Sequence, residues 1–338
     1  MGLGGRLLAA AVMGLATTAA AAEPEVLRLG APAPEGTAWV SDCFEPFMRL
    51  VTSASSGRAR IKAFWGAVLG DETAMVGLLL KDQIELWAGS AGALASSIPE
   101  LHALELPYLF ASDEEFAAVL RSPVRQEIRK LLARGGLVPL LFTEVGWRSF
   151  AGTRPYRRPS DLKGLPVRSQ ASPVHLEMWR QLEARPVTLG ITALMPALEE
   201  GSVVALDQSP ILLFATSWYQ HTPYYTRSRH IYQPALTVMR LARLRSLAPP
   251  VQAALLKAGE QVERACFAGL HRQASEVEAH LADVGVKVVE LTPAEQDAFR
   301  KHLQPVREAF RKSTTPAGRQ LLAAIELALA RIRARPHP

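Results

Sequence analysis

The sequence predicts an α/β protein with two domains, built on mostly parallel β-sheet with helices on both faces. Short apolar strands alternate with amphipathic helices along most of the 338 residues, which is the β-α-β rhythm of such sheets. At about 150 residues per domain, this length favours two domains. An unbroken helical pattern from Pro249 to about Asp283 spans roughly 50 Å at about 1.5 Å per residue, which is long enough to cross both domains.

The first 22 residues are predicted to be a secretory signal peptide that is cleaved near Ala22. Arg6 supplies the positive charge, an apolar run follows at 7–16, and alanines precede Glu23. The apolar run is shorter than the roughly 20 residues that span a bilayer, and no later segment reaches that length. We therefore expect an exported protein that is soluble once processed.

The first half of the chain contains three predicted strands separated by helices. The strands are expected at 26–30, 60–65 and 84–88, and the helices at 37–53, with Thr37 as its cap, and 73–81. A strand or extended segment at 105–110 precedes a helix expected from a Ser112 cap to 132. Ligands of such sheets bind at the carboxyl ends of the strands, so the glycine-rich loops 30–36 and 89–92 are expected at one rim.

The second half repeats the alternation and ends in helices. Strands are predicted at 137–142, 165–168, 187–189, 203–206, 232–241 and 286–291. Helices are predicted at 174–183 and 193–200, from a capping box at Thr292 toward 311, and at 316–335.

Two arginines are the main candidates for a binding site. Arg148 follows Trp147 after one predicted strand, and Arg168 ends the next. A planar guanidinium offers parallel N–H donors that match the two oxygens of a carboxylate, and it stays charged at physiological pH. A ligand carboxylate would satisfy these charges in their apolar surroundings, and ordinary ion pairs within the protein are the alternative. The residues leave both interpretations open.

Several other kinds of site are not predicted. The histidines show no metal-binding spacing, and no phosphate-binding or dinucleotide-binding glycine motif is present, so we expect no metal or cofactor. The net charge is +6, but the basic residues are dispersed, which argues against binding to nucleic acid. Ser90 lies in Ala-Gly-Ser-Ala-Gly, which loosely resembles the nucleophile elbow of hydrolases, and a plain strand-to-helix turn is the alternative.

The pairing of the two cysteines stays open in the sequence. Cys43 and Cys266 both fall in helical patterns, where buried free thiols are common, so free thiols are favoured over a disulfide. Trp218 belongs to an aromatic segment at 214–225 that is typical of core packing, with a place in a pocket wall as the alternative.

The stretch from 146 to 168 resembles a known family. GWR at 146–148, PSDLKGL at 159–165 and VR at 167–168 are similar to Gly-Phe-Arg followed by Pro-x-Asp-Leu-Lys-Gly-Leu-Lys-Ile-Arg. This pattern is found in the solute receptors of tripartite ATP-independent periplasmic (TRAP) transporters of the DctP type. ELPYLF at 105–110 resembles their Leu-Pro-Phe-Leu-Phe segment, and the resemblance covers nearly the whole chain after the signal peptide.

The resemblance implies a periplasmic-binding-protein-like fold, in which two α/β domains joined by hinge strands and a long helix close on a small organic acid. Domain I would comprise 23–145 plus about 234–265, and domain II 146–233 plus about 266–338, with a helix at about 249–284 crossing both. The receptor would work in the periplasm and deliver the acid to small and large TRAP membrane subunits, meeting the membrane only through them. A ligand sensor of the same fold is the alternative function, and neither is an enzyme.

The same resemblance implies roles for individual residues. Arg168 matches the principal carboxylate-binding arginine of the family, and Arg148 matches a second arginine of the cleft. Trp147, Ser90 and Trp218 are candidates for the rest of the wall.

The chain departs from the family pattern after Gly201. The ligand-contacting asparagine of the family falls on Gln208 if the alignment starts from Gly201, and on Ser209 if it starts from Pro210. A polar helix start of the family is replaced by Thr192-Ala193-Leu194-Met195, so we expect a more apolar acid than a sugar acid.

Overall fold

The structure, a computed structural model, describes residues 23–334, and the predicted signal peptide therefore lies outside the described residues. Its strands form one sheet in the order β2-β1-β3-β8-β4-β7-β5-β6, with β9 paired to β8. The strands are β1 Glu25–Gly30, β2 Ala59–Phe64, β3 Leu86–Ser90, β4 Leu137–Gly152, β5 Pro166–Ser169, β6 Arg185–Thr188, β7 Ala205–Gln208, β8 Tyr224–Arg240 and β9 Lys287–Glu290.

The sheet is mixed rather than mostly parallel, because two long strands cross its centre. β4 has 16 residues and β8 has 17, far longer than the strands predicted at 137–142 and 232–241. They pair with each other antiparallel, and β3 and β7 also join them antiparallel, whereas the outer pairs are parallel. The two halves of the sheet are thus continuous only through β4 and β8.

Thirteen α-helices surround this sheet in the described part of the chain. They are α1 Glu45–Ala54, α2 Glu72–Leu80, α3 Ala91–Leu94, α4 Asp113–Leu120, α5 Val124–Arg134, α6 Pro173–Gln181, α7 Ile191–Glu199, α8 Pro210–Ala215, α9 Leu241–Ser246, α10 Pro249–His280, α11 Pro293–His302, α12 Gln304–Ser313 and α13 Pro316–Arg333. The predicted caps at Ser112 and Thr292 are confirmed, because each hydroxyl accepts a backbone N–H of its helix.

Four local predictions are wrong. The segment at 105–110 is no strand, since a 3₁₀-helix at Pro99–Glu105 leads into a turn. The helix from 112 to 132 is two helices, with Pro123 at the start of the second, and the helix from 292 breaks again before Pro305. Both breaks follow from the missing N–H of proline. Thr37 donates its hydroxyl to the Pro34 carbonyl instead of capping a helix.

The helix predicted from Thr37 begins as one turn of π-helix at Trp39–Phe44 and continues as α1. Such turns are rare in proteins, and those that occur are often found at functional sites. Trp39 and Phe44, its first and last residues, are both buried, and the indole N–H of Trp39 donates to the Glu144 carbonyl of β4 at 2.7 Å.

The apolar core is divided by the sheet into two layers. Trp87 and Phe150 pack in the layer on one face, whereas their strand neighbours Leu86 and Ala151 pack in the layer on the other. Side chains alternate along a strand, so a sheet covered on both faces needs apolar residues at nearly every position. Both layers extend across the two halves of the sheet.

The long helix α10 packs along the sheet, as its predicted length suggested. It contacts β4, α1 and α8. Gly259 lies so close to the Leu140 carbonyl that a Cβ atom would overlap it, so a side chain is excluded at this crossing. The last helix, α13, packs on α4, α5 and the 3₁₀-helix at Pro99–Glu105, which the expected division had placed in the other domain. None of the described helices has the length and apolar character needed to cross a membrane.

Cys43 and Cys266 form a disulfide, which corrects the expectation of free thiols. The two cysteines lie on the π-helical turn and on α10, and they are 223 residues apart in the chain. The sequence does not reveal their meeting, because it depends on how α10 packs across the sheet. Thr143 of β4, which the cavity described below also contacts, lies beside the disulfide.

Reduction of this disulfide is expected to lower the free energy of unfolding by about 2–5 kcal/mol, because a long loop of the unfolded chain is released. Urea unfolding with and without a thiol reductant measures the change. The Cys43→Ser/Cys266→Ser double variant is the matched control, and it should be as stable as the reduced protein and insensitive to the reductant. An unchanged midpoint on complete reduction would contradict this prediction.

Candidate functional site

A cavity opens where the carboxyl ends of β1, β3 and β5 meet. This is where ligands bind in open α/β sheets. Its apolar lining includes Trp39, Phe44, Val145, Ile191 and Leu212. Its polar side chains are Glu72, Thr143, Arg168, Gln170, Gln208 and Gln233. We call this space the apolar chamber.

A second cavity adjoins the first and is more polar. Glu72, Arg168, Gln170 and Ile191 line both spaces, so they form the boundary between them. The second cavity, which we call the polar chamber, continues between the N-termini of α2 and α7. Gly190 there lies so near the Asp71 carboxylate that a Cβ atom would come within 2.9 Å of it.

Arg168 is buried at the junction of the two chambers, with only 2% of its surface exposed. Its Nε–H donates to the Leu189 carbonyl at 2.9 Å. Its Nη1 has no hydrogen-bond acceptor among the described residues, and no described carboxylate forms an ion pair with it. Burial, and secondarily the charge of Arg148, lower the pKa of Arg168 to about 10. The guanidinium is still charged at neutral pH and lacks an anionic partner in contact.

Arg148 is also fully buried, but its charge is neutralised inside the protein. Its Nε donates to Oδ2 of Asp207 at 2.6 Å, and its Nη2 donates to the Asp207 backbone carbonyl. Desolvation raises the pKa of the Asp207 carboxyl, but the charge of Arg148 and hydrogen bonds outweigh it, so this pKa lies well below its usual range. Arg148 does not line either chamber.

The third nitrogen of the Arg148 guanidinium, Nη1, orients the amide groups of two side chains that line the apolar chamber. Nη1 donates to Oε1 of Gln208 at 3.0 Å and to Oε1 of Gln233 at 2.8 Å. A guanidinium has donors only, so both amide oxygens must face it. The NH₂ group of Gln233 then donates to Oε1 of Gln170 at 2.9 Å. As a result, Gln208 and Gln170 keep their own NH₂ groups for the chamber, where they suit an anion.

The buried carboxylate of Glu105 links Gln233 to His175 and to the backbone of Gly92. It accepts hydrogen bonds from the backbone N–H of Gly92, from the Gln233 amide at 3.2 Å and from His175, whose Nε2 lies 2.8 Å away. Desolvation opposes ionisation of Glu105, but His175 and Arg148 nonetheless lower its pKa. The other nitrogen of His175 faces Asp207 at 3.9 Å, which closes a ring of buried polar groups.

Glu72 brings an acid to the boundary between the chambers. Its Oε1 accepts the backbone N–H of Ser90 at 2.7 Å, and its Oε2 accepts the Ser90 hydroxyl at 3.0 Å. Desolvation raises the pKa of Glu72, whereas the hydrogen bonds from Ser90 and the charge of Arg168 act in the opposite direction. Gly89 keeps this place open, because a Cβ atom there would come within 2.7 Å of Glu72.

The structure brings only part of the predicted site together. Arg168 and Gln208 line the apolar chamber, whereas Ser209 caps α8 and lies behind Gln208. Trp147 donates its indole N–H to Asp113 at 2.5 Å and packs on Tyr232 outside both chambers. Trp218 is buried in the core layer that contains Leu86.

Ser90 is the last residue of β3 and the N-cap of α3. Its hydroxyl is buried, bonded to Glu72, and accepts the Ala93 N–H. No histidine of residues 23–334 forms a hydrogen bond with it. This is the arrangement of a helix cap rather than of an activated nucleophile.

Sequence reasoning missed Glu72, Gln170 and Gln233. Each is a single polar residue in an otherwise ordinary helix start, loop or strand, and no spacing relates them. The only signal was that Glu72 directly precedes the helix predicted at 73–81. Within the described residues, no group of three or more histidine, cysteine or acidic side chains is arranged to hold a metal ion.

His102 predicts a dependence of stability on pH. The ring is buried, faces the Ser172 hydroxyl at 3.3 Å, and burial lowers its pKa from 6.5 to about 4, although Glu105 opposes this. The unfolded chain therefore binds more protons between these values, so stability is fully present above pH 6.5 and is lost as the pH falls toward 4. We expect a loss of about 1.5 kcal/mol between pH 6.5 and pH 5.

Urea unfolding of wild type and His102→Gln at the two pH values checks this. The variant should lose less stability on acidification, whereas His302→Gln, at an exposed position, should behave as wild type. Equal slopes for wild type and His102→Gln would refute the assignment.

A family model described as "Bacterial extracellular solute-binding protein, family 7" (DctP) matches residues 29–313. The chain is 24% identical over 282 residues to the 2,3-diketo-L-gulonate-binding periplasmic protein YiaO of Escherichia coli, covering 83% of this chain and 85% of that protein. A TRAP periplasmic solute binding protein from Ralstonia eutropha, solved with bound (S)-2-acetolactate, is 27% identical with a TM-score of 0.81, covering 90% of this chain and 99% of that one.

The sugar acid binding protein DctPAm from Advenella mimigardefordensis, solved with galactonate, is 23% identical with a TM-score of 0.85. The alignment covers 90% of this chain and 99% of that one. These solved structures, which have the two-domain fold of periplasmic binding proteins, share the α/β fold of this chain, and this confirms the predicted fold class.

Proposed function

Because the chain belongs to the DctP family of bacterial extracellular solute-binding proteins, we propose that it is the solute receptor of a TRAP transporter. It binds an organic acid between its two lobes and delivers the acid to the small and large membrane subunits. The family consists of receptors rather than enzymes. The predicted signal peptide, with cleavage near Ala22, supports work in the periplasm.

The observation that carries this proposal is the buried, unpartnered Arg168. Burying a charge costs free energy unless the charge is paired. When one partner of a buried ion pair is missing, the charge that remains destabilises the protein. Nη1 of Arg168 lacks an acceptor within the described residues, and the side chain lines both chambers. A ligand carboxylate in the chambers supplies the missing partner.

Gln208 and Gln170 support the carboxylate with their NH₂ groups, and Arg148 acts behind them as a positioning residue. In this proposal only Arg168 contacts the ligand, which differs from the prediction that both arginines do. Ser90 likewise does not contact the ligand, and its hydrogen bonds position Glu72.

We propose that the two domains close on the ligand by bending at the middle of β4 and β8. β4 changes register between Glu144 and Gly146, opposite Pro234 and Gln233, and the glycine has φ +91°. The boundaries at 145/146 and 233/234 coincide with this bulge. We therefore keep those two boundaries and assign α13 to the first domain.

Native mass spectrometry of the protein freshly purified from its host tests the proposal, since a tight receptor retains its ligand. The expected result is an added mass that is an organic acid, together with a higher melting temperature when that acid is returned to stripped protein. The methyl ester of the acid is the matched control and should not stabilise the protein. A retained ligand without an acidic group, or equal stabilisation by acid and ester, would overturn the proposal.

A further inference from the structure

Arg168 and Glu72 present a guanidinium and a carboxyl group to the same space. Both line the apolar and the polar chamber, and each influences the pKa of the other. They are nevertheless not in contact, because no ion pair joins them in the described chain. Open volume therefore separates a cation from an acid at the boundary of the chambers, and a ligand that fits there meets both.

Glu72 retains capacity for a ligand. Each of its oxygens accepts one hydrogen bond from Ser90, and an ionised carboxylate offers about four acceptor positions. Among the polar side chains around the apolar chamber, Glu72 is the one with a carboxyl group. Arg168, Gln170 and Gln208 supply donors. A ligand carboxylate thus suits the donors, and a ligand donor suits Glu72.

The rest of the apolar chamber suits a short hydrocarbon group. Trp39 and Phe44 form one side of it, and Ile191 and Leu212 belong to its lining. Polyhydroxylated chains lose hydrogen bonds with water in such surroundings unless the protein replaces them. A branched aliphatic tail gains by leaving water.

We propose that Glu72 determines specificity by selecting acids that carry a hydroxyl or ammonium group beside the carboxylate, together with a short apolar tail. The carboxylate lies on Arg168, the neighbouring donor lies on Glu72, and the tail enters the apolar chamber. This assignment rests on the proposed receptor function, and it adds a requirement for a donor that carboxylate binding alone does not impose.

Titration calorimetry with three acids of one carbon skeleton tests the donor requirement. The probes are 2-hydroxy-3-methylbutanoate, 2-amino-3-methylbutanoate and unsubstituted 3-methylbutanoate, and gluconate represents a polyhydroxylated acid. We expect a substituted branched acid to bind wild type at least tenfold more tightly than the unsubstituted acid and more tightly than gluconate. The ratio should shrink to about threefold or less in Glu72→Gln.

The Glu72→Gln variant also distinguishes the two donors. A hydroxyl still donates to the amide oxygen, but a hydrogen bond to a neutral acceptor is about half as strong as one to a carboxylate, so the hydroxy acid keeps a preference of about threefold at most. An ammonium group loses its counter-charge and with it the whole preference. Glu200→Gln, at an exposed position, is the matched control and should keep the wild-type ratio.

The possible failures are separable. Equal binding of substituted and unsubstituted acids, or an unchanged ratio in Glu72→Gln, overturns the role of Glu72 and leaves the receptor function standing. Preference for gluconate overturns the apolar tail. Absence of binding by all four probes overturns this ligand class, and the receptor function is then judged by the ligand retained on purification.

Discussion

Replacement of Arg168 by alanine is expected to weaken binding of the retained acid by about 30-fold to several thousandfold. Loss of one partner from a buried, hydrogen-bonded charge pair costs about 2–5 kcal/mol, and about 1.4 kcal/mol corresponds to tenfold in affinity. The fold should survive, because Arg168 forms no ion pair in the described chain and its Nε bonds only to the Leu189 carbonyl. Titration calorimetry measures the affinity, and circular dichroism checks the fold.

Arg168→Lys is the informative companion variant. It keeps the positive charge but loses the planar fork, so we expect an affinity between those of wild type and Arg168→Ala. Arg185→Ala, at an exposed position, serves as the control for the removal of an arginine and should bind as wild type. If Arg168→Ala binds the acid as tightly as wild type, Arg168 does not hold the carboxylate.

Replacement of Arg148 by methionine is expected to lower the free energy of unfolding by about 3–5 kcal/mol, because Asp207 is left buried without its counter-charge. The two side chains are fully buried, and Nε and Oδ2 are 2.6 Å apart. Urea unfolding at neutral pH measures the loss. Arg49→Ala removes an exposed arginine that lies 3.5 Å from Glu45, and it should cost less than about 1 kcal/mol.

The double variant Arg148→Met/Asp207→Leu separates stability from binding. It removes both charges, so much of the lost stability should return. Binding of the acid should stay weak, because Gln208 and Gln233 have lost the donor that orients their amides. Full recovery of affinity in the stable double variant would show that Arg148 has no role in positioning them.

The fold class was accessible from the sequence because it depends on local patterns. The alternation of strands and helices, the proline at the start of α10 and the caps at Ser112 and Thr292 are each recorded in a few consecutive residues. The lengths of β4 and β8 were not accessible. Their outer ends contain polar residues such as Ser149 and Arg227, whose place in a strand depends on pairing with distant segments.

The candidate site, like the fold, could be predicted from the sequence only in part. The sequence by itself determined that Arg168 lies at the end of a strand in an α/β sheet, because the end of a strand and the charge of a side chain are both recorded in a few consecutive residues. Only the tertiary structure decided that Arg148 turns inward to Asp207 while Glu72 faces the chambers, and that Cys43 meets Cys266. Those facts depend on which side chains remain to neutralise each buried charge once residues far apart in the chain have packed together.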